Sequence, residues 1–449
     1  MKIGIVGAGF TGLSAAYYLT REGHDVTVFE KDEKPGGLAV GYQEKEWRWT
    51  LENHYHHWFT NDRSVLKLAK EINHKVIIKR PKTSSFVDNE IFQFDSPVSL
   101  LRFPKLALPD KIRMGLSLSL LRYNPVWKPL ENFRAESYLR FSMGNYAYKK
   151  LWEPLMKNKL GQYAKDISLA WFWARVYKRT SSLAYPEGGF LSFAEHLEKE
   201  IEKKGGNFHY NTEVLKLSSP IRRGVTRSGG PPSSTRSKLS FARTSDGGTE
   251  RQDPEQEEFD KVIVTLPSFF FVKIAPQLPA SYKNNLLKLE GLGALNLVLR
   301  LKKQFLTDGT YWLSMCDAKS PILAIVEHTN FMDKKYYNNE HIVYLGNYLS
   351  QDDPRFQMTA EQLLKLYDTW LKKINPSYQL SVGSCQLFKT PFAQPIIPTN
   401  YSKILPPFET PLPNVYLANI QQVYPWDRGT NYAVELGIKV ARLISEKIN

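Results

Sequence analysis

The chain begins with two short apolar runs that are separated by a stretch of helical periodicity. Lys2 to Val6 is apolar enough for a buried strand, and the apolar positions from Leu13 to Leu19 recur with the spacing of one helix face. Asp25 to Phe29 is a second apolar run, rich in β-branched and aromatic residues. The pattern therefore predicts a strand, a helix and a second strand, which is how a parallel α/β sheet starts.

Strand and helix patterns alternate again later in the chain. Ser192 to Lys204 predicts a helix, and Asn207 to Leu217 predicts a single strand. Phe259 to Leu266 predicts another strand, which Pro267 ends because proline has no N–H to donate to a neighbouring strand. Asn414 to Asn419 predicts a last short strand and turn before a C-terminal helix. The expected fold class is α/β.

The composition is that of an ordinary folded protein. At a soft prior of roughly 150 residues per domain, the 449 residues correspond to two or three domains. The hydrophobic share of 42% and the charged share of 23% exclude a wholly disordered or fibrous chain. Cys316 and Cys385 are too far apart for a CxxC pair, which argues against a disulfide scaffold, an iron–sulfur protein and a cysteine-rich zinc site.

One segment, residues 219–258, differs in composition from the rest. Of its 40 residues, 20 are Gly, Ser, Pro or Thr, and Phe241 is its single aromatic residue. Such a segment buries too little apolar surface to offset the entropy lost on ordering. We therefore expect a disordered surface insertion that joins two strands and has no catalytic role.

A glycine-rich turn follows the first predicted strand and carries the clearest chemistry. Gly7 permits a tight turn, Gly9 lets the backbone approach a pyrophosphate, and Gly12 lets the helix pack on the strand. The helix N-terminus offers free N–H groups and a positive dipole end to phosphates. Glu30 stands 18 residues beyond Gly12, at the end of the second strand, where its carboxylate would accept hydrogen bonds from ribose hydroxyls. This spacing predicts a dinucleotide site.

A second glycine pair, Gly36 and Gly37, follows Glu30 in the sequence Lys34-Pro35-Gly36-Gly37-Leu38. Together with the first glycine turn and Glu30, this pair resembles the FAD signature of the flavin amine oxidase superfamily, which includes protoporphyrinogen oxidases and carotenoid desaturases. The resemblance implies FAD as the cofactor. Its expected contacts in this part of the chain are Gly7, Gly9, Phe10, Thr11, Gly12, Glu30, Lys31, Gly36, Gly37 and Leu38.

The resemblance extends over nearly the whole chain and implies further cofactor contacts. The position that matches the family's adenine-contacting valine is Val214, and Asn419 stands where family members usually carry an acidic residue that contacts the ribityl chain. The turn before the last helix is expected at the pyrimidine end of the flavin through Asp427, Gly429, Thr430 and Asn431. Cys385 lacks the family's attachment context, so the FAD is expected to be non-covalent.

The domain organisation follows from the same resemblance. A Rossmann-type FAD-binding domain is expected in residues 1–85, 181–285 and 396–449, interleaved with an α+β substrate domain in residues 86–180 and 286–395. The start of the chain lacks the parts of a secretory signal, and no apolar run reaches the roughly 20 residues of a membrane span. We therefore expect a cytoplasmic protein, soluble or peripheral to a membrane.

Histidines near the second glycine pair are candidate site residues. Neighbouring residues of a strand or loop point in different directions, and no carboxylate or cysteine cluster completes a ligand set, so no metal is expected. UDP-galactopyranose mutases, which have a related fold, carry a similar histidine and aromatic segment. The resemblance makes His56 and His57 candidates for lining the flavin or the substrate, with packing as the alternative, and adds Arg428 as a third catalytic candidate.

The positive charge is concentrated in one segment. The whole chain carries a net charge of +15, and residues 98–180 hold 16 Lys and Arg against five acidic residues, a net +11. This distribution favours an anionic small-molecule substrate or peripheral membrane contact through 98–180, with an ordinary solvated helix face as the alternative. No nucleic-acid partner is expected, because no reading motif accompanies the charge.

The expected function is an FAD-dependent oxidoreductase of the amine oxidase and protoporphyrinogen oxidase type. Hydride would pass from an apolar or anionic substrate to flavin N5, and an external acceptor would reoxidise the flavin. The first alternative is a non-redox flavoenzyme resembling UDP-galactopyranose mutase that acts on a sugar nucleotide. The second is a flavoprotein that binds an isoprenoid or a membrane lipid without turnover.

Overall fold

The structure is a computed structural model that describes residues 1–219, 236–243 and 253–446. It alternates strands and helices along most of its length. The strands in chain order are β1 Lys2–Val6, β2 Asp25–Phe29, β3 Gly41–Tyr42, β4 Leu51–Glu52, β5 Trp58–Phe59, β6 Val76–Lys79, β7 Lys82–Val87, β8 Glu90–Gln93, β9 Leu183–Pro186, β10 Asn207–His209, β11 Thr212–Ser218, β12 Ser237–Arg243, β13 Glu255–Phe259, β14 Lys261–Val264, β15 Gly291–Leu301, β16 Thr310–Met315, β17 Ala324–Glu327, β18 His341–Leu349, β19 Val382–Pro395 and β20 Val415–Leu417.

The α-helices in chain order are α1 Phe10–Arg21, α2 Arg63–Glu71, α3 Pro97–Arg102, α4 Leu108–Tyr123, α5 Ala135–Met143, α6 Asn145–Ala147, α7 Glu153–Leu160, α8 Leu169–Lys178, α9 Phe190–Glu202, α10 Ser268–Ile274, α11 Ala280–Leu287, α12 Ala360–Ile374 and α13 Thr430–Glu446. Six of the α-helices, α3 to α8, lie between residues 97 and 178.

A five-stranded parallel sheet forms the first layer, in the order β10-β2-β1-β14-β20. The register sets Val6 opposite both Phe29 and Val264, and Val264 opposite Leu417. The carboxyl ends of these strands therefore meet at one edge, which is where open α/β sheets bind ligands. The predicted α/β class is confirmed, and the predicted first strand, helix and second strand lie where the hydrophobic pattern placed them.

The prediction of one strand from Asn207 to Leu217 is wrong. β10 pairs in parallel with β2, whereas β11 belongs to a separate antiparallel sheet in the order β11-β12-β13. The break falls at Asn211, which has a φ of 50°, and the Thr212 N–H then donates to the Glu30 carbonyl at 2.8 Å. A left-handed residue turns the chain out of the first sheet, so one apolar run serves two sheets.

The interpretation of 219–258 as a wholly disordered insertion is also wrong. Ser237–Arg243 forms β12, and Glu255–Phe259 forms β13. In β12 the alternate residues Ser237, Leu239 and Phe241 are buried, which is the period-two pattern of a strand covered on one face. The average composition of the segment concealed this short alternation. Residues 220–235 and 244–252 lie outside the described residues.

A seven-stranded mixed sheet forms the core of the second half, in the order β19-β15-β18-β17-β16-β7-β8. Its apolar core includes the alternate residues Leu295, Leu297 and Leu299 of β15. β7 begins at Lys82 and β19 ends at Pro395. The predicted domain boundaries at 85/86 and 395/396 lie close to the ends of this sheet, and the division of the chain into two domains stays a prediction.

The helices α3 to α8 occupy the basic segment and pack around buried aromatic residues such as Trp171 and Trp173. α4 differs from its neighbours because its outer face is apolar. Leu108, Ile112, Leu116 and Leu120 recur every four residues and are each 50% to 67% exposed. None of the helices in the described residues has the length and hydropathy needed to cross a bilayer.

Candidate functional site

The first glycine turn lies at the carboxyl edge of the parallel sheet. Gly9 is the N-cap of α1 and supplies no side-chain cap, so the first backbone N–H groups of α1 have no side-chain partner at the cap. A Cβ on Gly12 would lie 2.0 Å from the Gly7 carbonyl oxygen, so close packing of helix on strand requires glycine there. The turn therefore presents backbone donors and a positive helix end at the sheet edge.

Gly9 is different from Gly12, because the fold itself leaves it free to carry a side chain. Its φ of −70° suits any residue, and the nearest atom to a Cβ placed there is the Gly37 Cα at 3.8 Å. A side chain at Gly9 would thus enter a space whose nearest wall is the backbone of Gly37. The chain gains nothing for its own packing from glycine at this position, whereas a closely approaching ligand would need it.

The second glycine pair forms the opposite wall of this space. The Gly36 N–H donates to the Ala8 carbonyl at 2.9 Å, and Gly36 forms an isolated bridge with Gly9. Gly36 and Gly37 have φ values of 120° and 57°, which glycine adopts without strain. Gly9, Gly36 and Gly37 together define a glycine-walled cleft. Leu38 is half-buried beside it.

Glu30 is buried at the end of β2, next to the same cleft. Its Oε2 accepts a hydrogen bond from the Ala8 N–H at 2.8 Å, and its Oε1 accepts one from the Asp32 N–H at 3.1 Å. Burial raises the pKa of Glu30, and the two backbone hydrogen bonds offset part of that rise. The carboxylate is thus fixed to the glycine turn. Lys31 is exposed and lies 3.9 Å from Asp32, away from these bonds.

Val214 lies on the separate antiparallel sheet, and Asn419 follows β20 of the parallel sheet. Val214 is buried on β11 opposite Phe241. The Asn419 amide donates to the Leu266 carbonyl at 3.0 Å and to Ser268 Oγ at 3.1 Å, and its Oδ1 accepts from the Gln421 N–H. These protein bonds occupy both amide hydrogens of Asn419. The contacts expected of Val214 with adenine and of Asn419 with a ribityl chain stay predictions.

The turn before α13 is held by residues that the sequence did not point to. Trp58 Nε1 donates to Thr430 Oγ1 at 2.6 Å. Asn431 Oδ1 accepts from the Ser64 N–H at 3.0 Å and from the Val65 N–H at 3.2 Å, and so caps α2. The side chains of Thr430 and Asn431 are thereby used within the protein, and the N-terminal backbone of α13, from Gly429 onward, is what this turn could offer to a cofactor.

The histidine segment lies deep in the molecule. His56 Nδ1 and the His54 carbonyl are 2.6 Å apart, and His57 Nδ1 lies 3.1 Å from the Tyr311 hydroxyl. Burial lowers the pKa of His56 to about 4 and that of His57 to about 3. Both rings are therefore neutral at pH 7. Since a carbonyl only accepts, Nδ1 of His56 carries the proton and Nε2 is left as an acceptor.

Arg428 belongs to a second group of residues, which the sequence did not bring together. Its guanidinium donates to Gln394 Oε1 at 3.1 Å, contacts the Tyr348 hydroxyl, and has its Cζ 4.6 Å from the centre of the Tyr348 ring. Lys159 Nζ lies 4.5 Å from the centre of the same ring. Asp427 pairs with Arg175 and accepts from Trp171 Nε1 at 3.1 Å.

Lys159, Arg175 and Arg428, with Asp427 between them, are called the cation cluster below. Its members come from α7, α8 and the turn before α13, and Tyr348 comes from β18. Burial lowers the pKa of Arg428 to about 10 and lowers that of Lys159 well below its usual value, with the neighbouring cations adding to both effects. The sequence had named Asp427 and Arg428 as candidate site residues and placed the excess of positive charge in 98–180, but it gave no sign that Lys159 and Arg175 meet them.

The residues present fit a dinucleotide cofactor. The evidence is the space beside Gly9 that a Cβ would enter, the uncapped N-terminus of α1, and the buried carboxylate of Glu30 tied to the turn. Within the described ranges, no group of three or more His, Cys, Asp or Glu is arranged to hold a metal ion. The expected roles of individual residues toward the cofactor stay predictions.

Comparison with known proteins gives the class. The family described as flavin containing amine oxidoreductase matches residues 10–445, and the chain belongs to that family. The resemblance stated from the glycine motifs is thereby confirmed, as is the expected class of flavin-dependent oxidoreductase. The family implies a flavin cofactor, typically FAD.

The similarity to individual proteins is lower than the match to the family suggests. Coproporphyrinogen III oxidase of Staphylococcus aureus (strain NCTC 8325 / PS 47) is 25% identical over 322 residues, a match that covers 62% of this chain and 63% of that protein. The chain thus spans less than two thirds of this relative's length.

Two solved structures share the fold. An oxidoreductase from Methanosarcina mazei superposes with a TM-score of 0.74 at 18% identity, covering 98% of this chain and 100% of that one. A reduced UDP-galactopyranose mutase superposes with a TM-score of 0.72 at 15% identity, covering 98% of this chain and 96% of that one. These identities support the fold alone.

Proposed function

We propose that the protein is an FAD-dependent oxidoreductase that removes a hydride from a small apolar or anionic substrate. The observation that carries this proposal is the glycine-walled cleft, where Gly9 is glycine for no reason internal to the fold. A bound flavin supplies a hydride acceptor at N5 and passes the electrons to an external acceptor. Family membership supports the cofactor class.

The chain's own residues are assigned binding and positioning roles. The first turn of α1 would hold the pyrophosphate through backbone N–H groups, and the carboxylate of Glu30 would hold a ribose. The neutral ring of His56 leaves Nε2 to accept a hydrogen bond or a substrate proton. Trp58 and Asn431 fix the turn before α13 and thereby the position of Arg428.

We further propose that the FAD is held without a covalent bond. Cys316 is buried and Cys385 lies half-buried on β19. Burial raises the pKa of both thiols, to about 12 for Cys316, so neither is present as the reactive thiolate at neutral pH. Precipitation with acid should therefore release all of the yellow chromophore into the supernatant. Flavin that stays with the precipitated protein would contradict this proposal.

The direct test of the function is anaerobic reduction of the purified holoprotein. A substrate that donates hydride bleaches the oxidised flavin absorbance, and adding an electron acceptor restores it. Candidate compounds are best supplied as matched pairs that differ in one carboxylate or phosphate group. A protein that is purified colourless and takes up no added FAD would overturn the proposal.

The mutase alternative keeps one specific observation in its favour. The cation cluster brings three basic side chains and one carboxylate together. Such a group suits the diphosphate of a sugar nucleotide. The discriminating experiment is turnover of UDP-sugars by the pre-reduced protein without oxygen. Conversion of a UDP-sugar with no net change in flavin absorbance would favour the mutase, and its absence would leave hydride transfer.

Membrane contact is proposed for the outer face of α4. Leu108, Ile112, Leu116 and Leu120 form an apolar stripe that no described residue covers. Arg113 is exposed on the same helix, and Arg102 is exposed at the end of α3. An apolar face flanked by basic residues suits a bilayer with anionic lipids. The third function considered, lipid binding without turnover, would also use this face, and reduction of the flavin by a defined substrate would exclude it.

A further inference from the structure

The cation cluster is costly for the fold. Lys159 Nζ and Arg428 Cζ are 4.5 and 4.6 Å from the centre of the Tyr348 ring, so they are no more than about 9 Å apart. Arg175 lies near both, with its Cζ 5.0 Å from the Trp171 ring. Bringing like charges together away from bulk water opposes folding unless an opposite charge compensates them.

Compensation within the protein is incomplete. Asp427 is the carboxylate in contact with the cluster, and it is already paired with Arg175. The other neighbours are aromatic or amide groups: Tyr348 lies under Lys159 and Arg428, and Gln394 accepts from Arg428. Within the residues described, three cations therefore face one carboxylate. The cluster therefore holds more basic than acidic side chains, and no other carboxylate in the described part of the chain forms an ion pair with it.

The cations also keep solvent-accessible surface. The side chain of Arg175 is 34% exposed and that of Asp427 is 21% exposed, and Lys159 and Arg428 are half-buried although protein surrounds them. Solvent, and therefore a small anion, can reach these side chains. Two guanidinium groups and an ammonium group can bind a carboxylate or a phosphate through several charge-assisted hydrogen bonds at once.

We propose that Lys159, Arg175 and Arg428 form the binding site for an anionic group of the substrate, either a carboxylate or a phosphate. This inference rests on the proposed function, because it names the class of substrate for the same site. It explains why the chain keeps a half-buried lysine against a tyrosine ring, where an apolar side chain of similar length would pack without the repulsion. The site is distinct from the glycine-walled cleft, whose walls are backbone.

The test uses the FAD-loaded protein and two anion probes at low ionic strength. Inorganic pyrophosphate represents the phosphate class and tricarballylate represents the carboxylate class, and calorimetry measures the binding of each. We expect at least one probe to bind, and Lys159→Met to raise its dissociation constant tenfold or more. The probe that binds assigns the class.

The matched control is Lys149→Met, which makes the same substitution at an exposed lysine of the same segment. This control should bind the probe as the wild type does. Without a probe, Lys159→Met should melt at a higher temperature than the wild type, because it removes repulsion and keeps an apolar side chain over Tyr348.

Three results would overturn the inference: neither probe binds, Lys149→Met weakens binding as much as Lys159→Met does, or Lys159→Met melts lower while its affinity is unchanged. The last result would make Lys159 a residue of the fold alone. Flavin absorbance is recorded on every sample. A yellow protein that binds no anion refutes this inference and leaves the oxidoreductase proposal standing, whereas a colourless protein refutes the latter.

Discussion

The glycine-walled cleft and the cation cluster differ in what each would offer to a ligand. At the cleft the chain has glycines, so that backbone groups of Gly9, Gly36 and Gly37 and the N-terminus of α1 would face a ligand. At the cluster the chain crowds charged side chains around Tyr348. The first site uses partial charges fixed in the backbone, and the second uses full charges that burial makes expensive.

Two buried carboxylates show the same difference. Glu52 accepts from the Tyr185 hydroxyl at 2.8 Å and from the Phe190 N–H at 2.9 Å, and burial raises its pKa to about 7 despite these hydrogen bonds. Burial also acts to raise the pKa of Asp427, but Arg175 and Lys159 outweigh it and hold that pKa below its usual value. The charge of neighbouring residues, rather than burial alone, decides whether a buried carboxylate is ionised.

The largest expected effect concerns the cleft. Gly9→Val places a branched side chain in the space facing Gly37. The fold has room for this side chain, but a pyrophosphate would no longer fit beside it. We expect a folded protein with less than about a tenth of the wild-type flavin content, because steric exclusion leaves no alternative approach. Absorbance of the purified protein measures this. Gly383→Val, at an exposed strand position, is the matched control and should retain its flavin.

FAD at wild-type occupancy in Gly9→Val would show that the cleft is not the cofactor site. Loss of flavin together with loss of the folded circular dichroism spectrum would instead place Gly9 among the residues that the fold needs. Gly12→Val is expected to behave in that second way, since its Cβ would lie 2.0 Å from the Gly7 carbonyl oxygen.

The next effect concerns Glu52 and depends on pH. Its folded pKa of about 7 exceeds the usual 4.5, so between these values the native state holds a proton that the unfolded state lacks. The stability contributed by this proton is present at low pH and is lost as pH rises through 7. Glutamine cannot ionise. The free energy of unfolding of Glu52→Gln should therefore exceed that of the wild type at pH 8 by up to about 3 kcal/mol.

Urea unfolding at pH 5 and pH 8 measures this difference for both proteins. The two should be closer in stability at pH 5 than at pH 8. If the difference in unfolding free energy between the two proteins is the same at pH 5 and pH 8, Glu52 is already ionised at pH 5 in the folded protein.

Asp427→Asn also replaces a carboxylate by an amide, but it is expected to lower the stability of the protein at neutral pH. The folded pKa of Asp427 lies below the usual value, so its charge stabilises the protein above the unfolded pKa and this contribution is lost as pH falls. We expect a loss of about 1 to 2 kcal/mol at pH 7, reduced from the value for a fully buried pair because Arg175 is partly exposed. An equally stable variant at pH 7 would mean that the cations do not depend on Asp427.

The smallest expected effect is on the outer face of α4. Replacing both Leu116 and Leu120 by Gln removes apolar surface from a stripe whose members are at least half exposed. Binding to vesicles that contain phosphatidylserine should fall about tenfold, which corresponds to about 1.4 kcal/mol. A double Gln variant at Leu366 and Leu380, which are also exposed but lie elsewhere, should bind as the wild type does.

Co-sedimentation with vesicles measures both variants. Equal binding by the α4 variant and the wild type would remove the membrane proposal and leave α4 with an ordinary exposed face. The cation cluster and the cleft would be unaffected, because neither includes a residue of α4.

The glycine-walled cleft could be predicted from the sequence because its residues lie close together in the chain. Gly7, Gly9 and Gly12 lie within one turn and one helix start, and Glu30 follows at a spacing set by one helix and one strand. Because each of these positions is fixed by local backbone geometry, the hydrophobic pattern and the glycines suffice to predict them. The family resemblance then extended the prediction to FAD.

The two wrong strand predictions both depended on pairing between strands that are distant in the sequence. The run from Asn207 to Leu217 divides between two sheets because Thr212 pairs with the backbone of Glu30, and Ser237–Arg243 is a strand because β11 and β13 flank it. A strand needs partners from elsewhere in the chain, and a local composition average does not contain them.

The sequence by itself determined the α/β class, the glycine turn with its acid, and the location of the positive charge in 98–180. Tertiary structure alone decided that Lys159, Arg175 and Arg428 meet around Tyr348, that Thr430 and Asn431 serve Trp58 and α2, and that Glu52 is buried. The physical reason is the range of the interactions. Backbone geometry acts over a few residues, whereas electrostatics and burial act between side chains that only folding brings together.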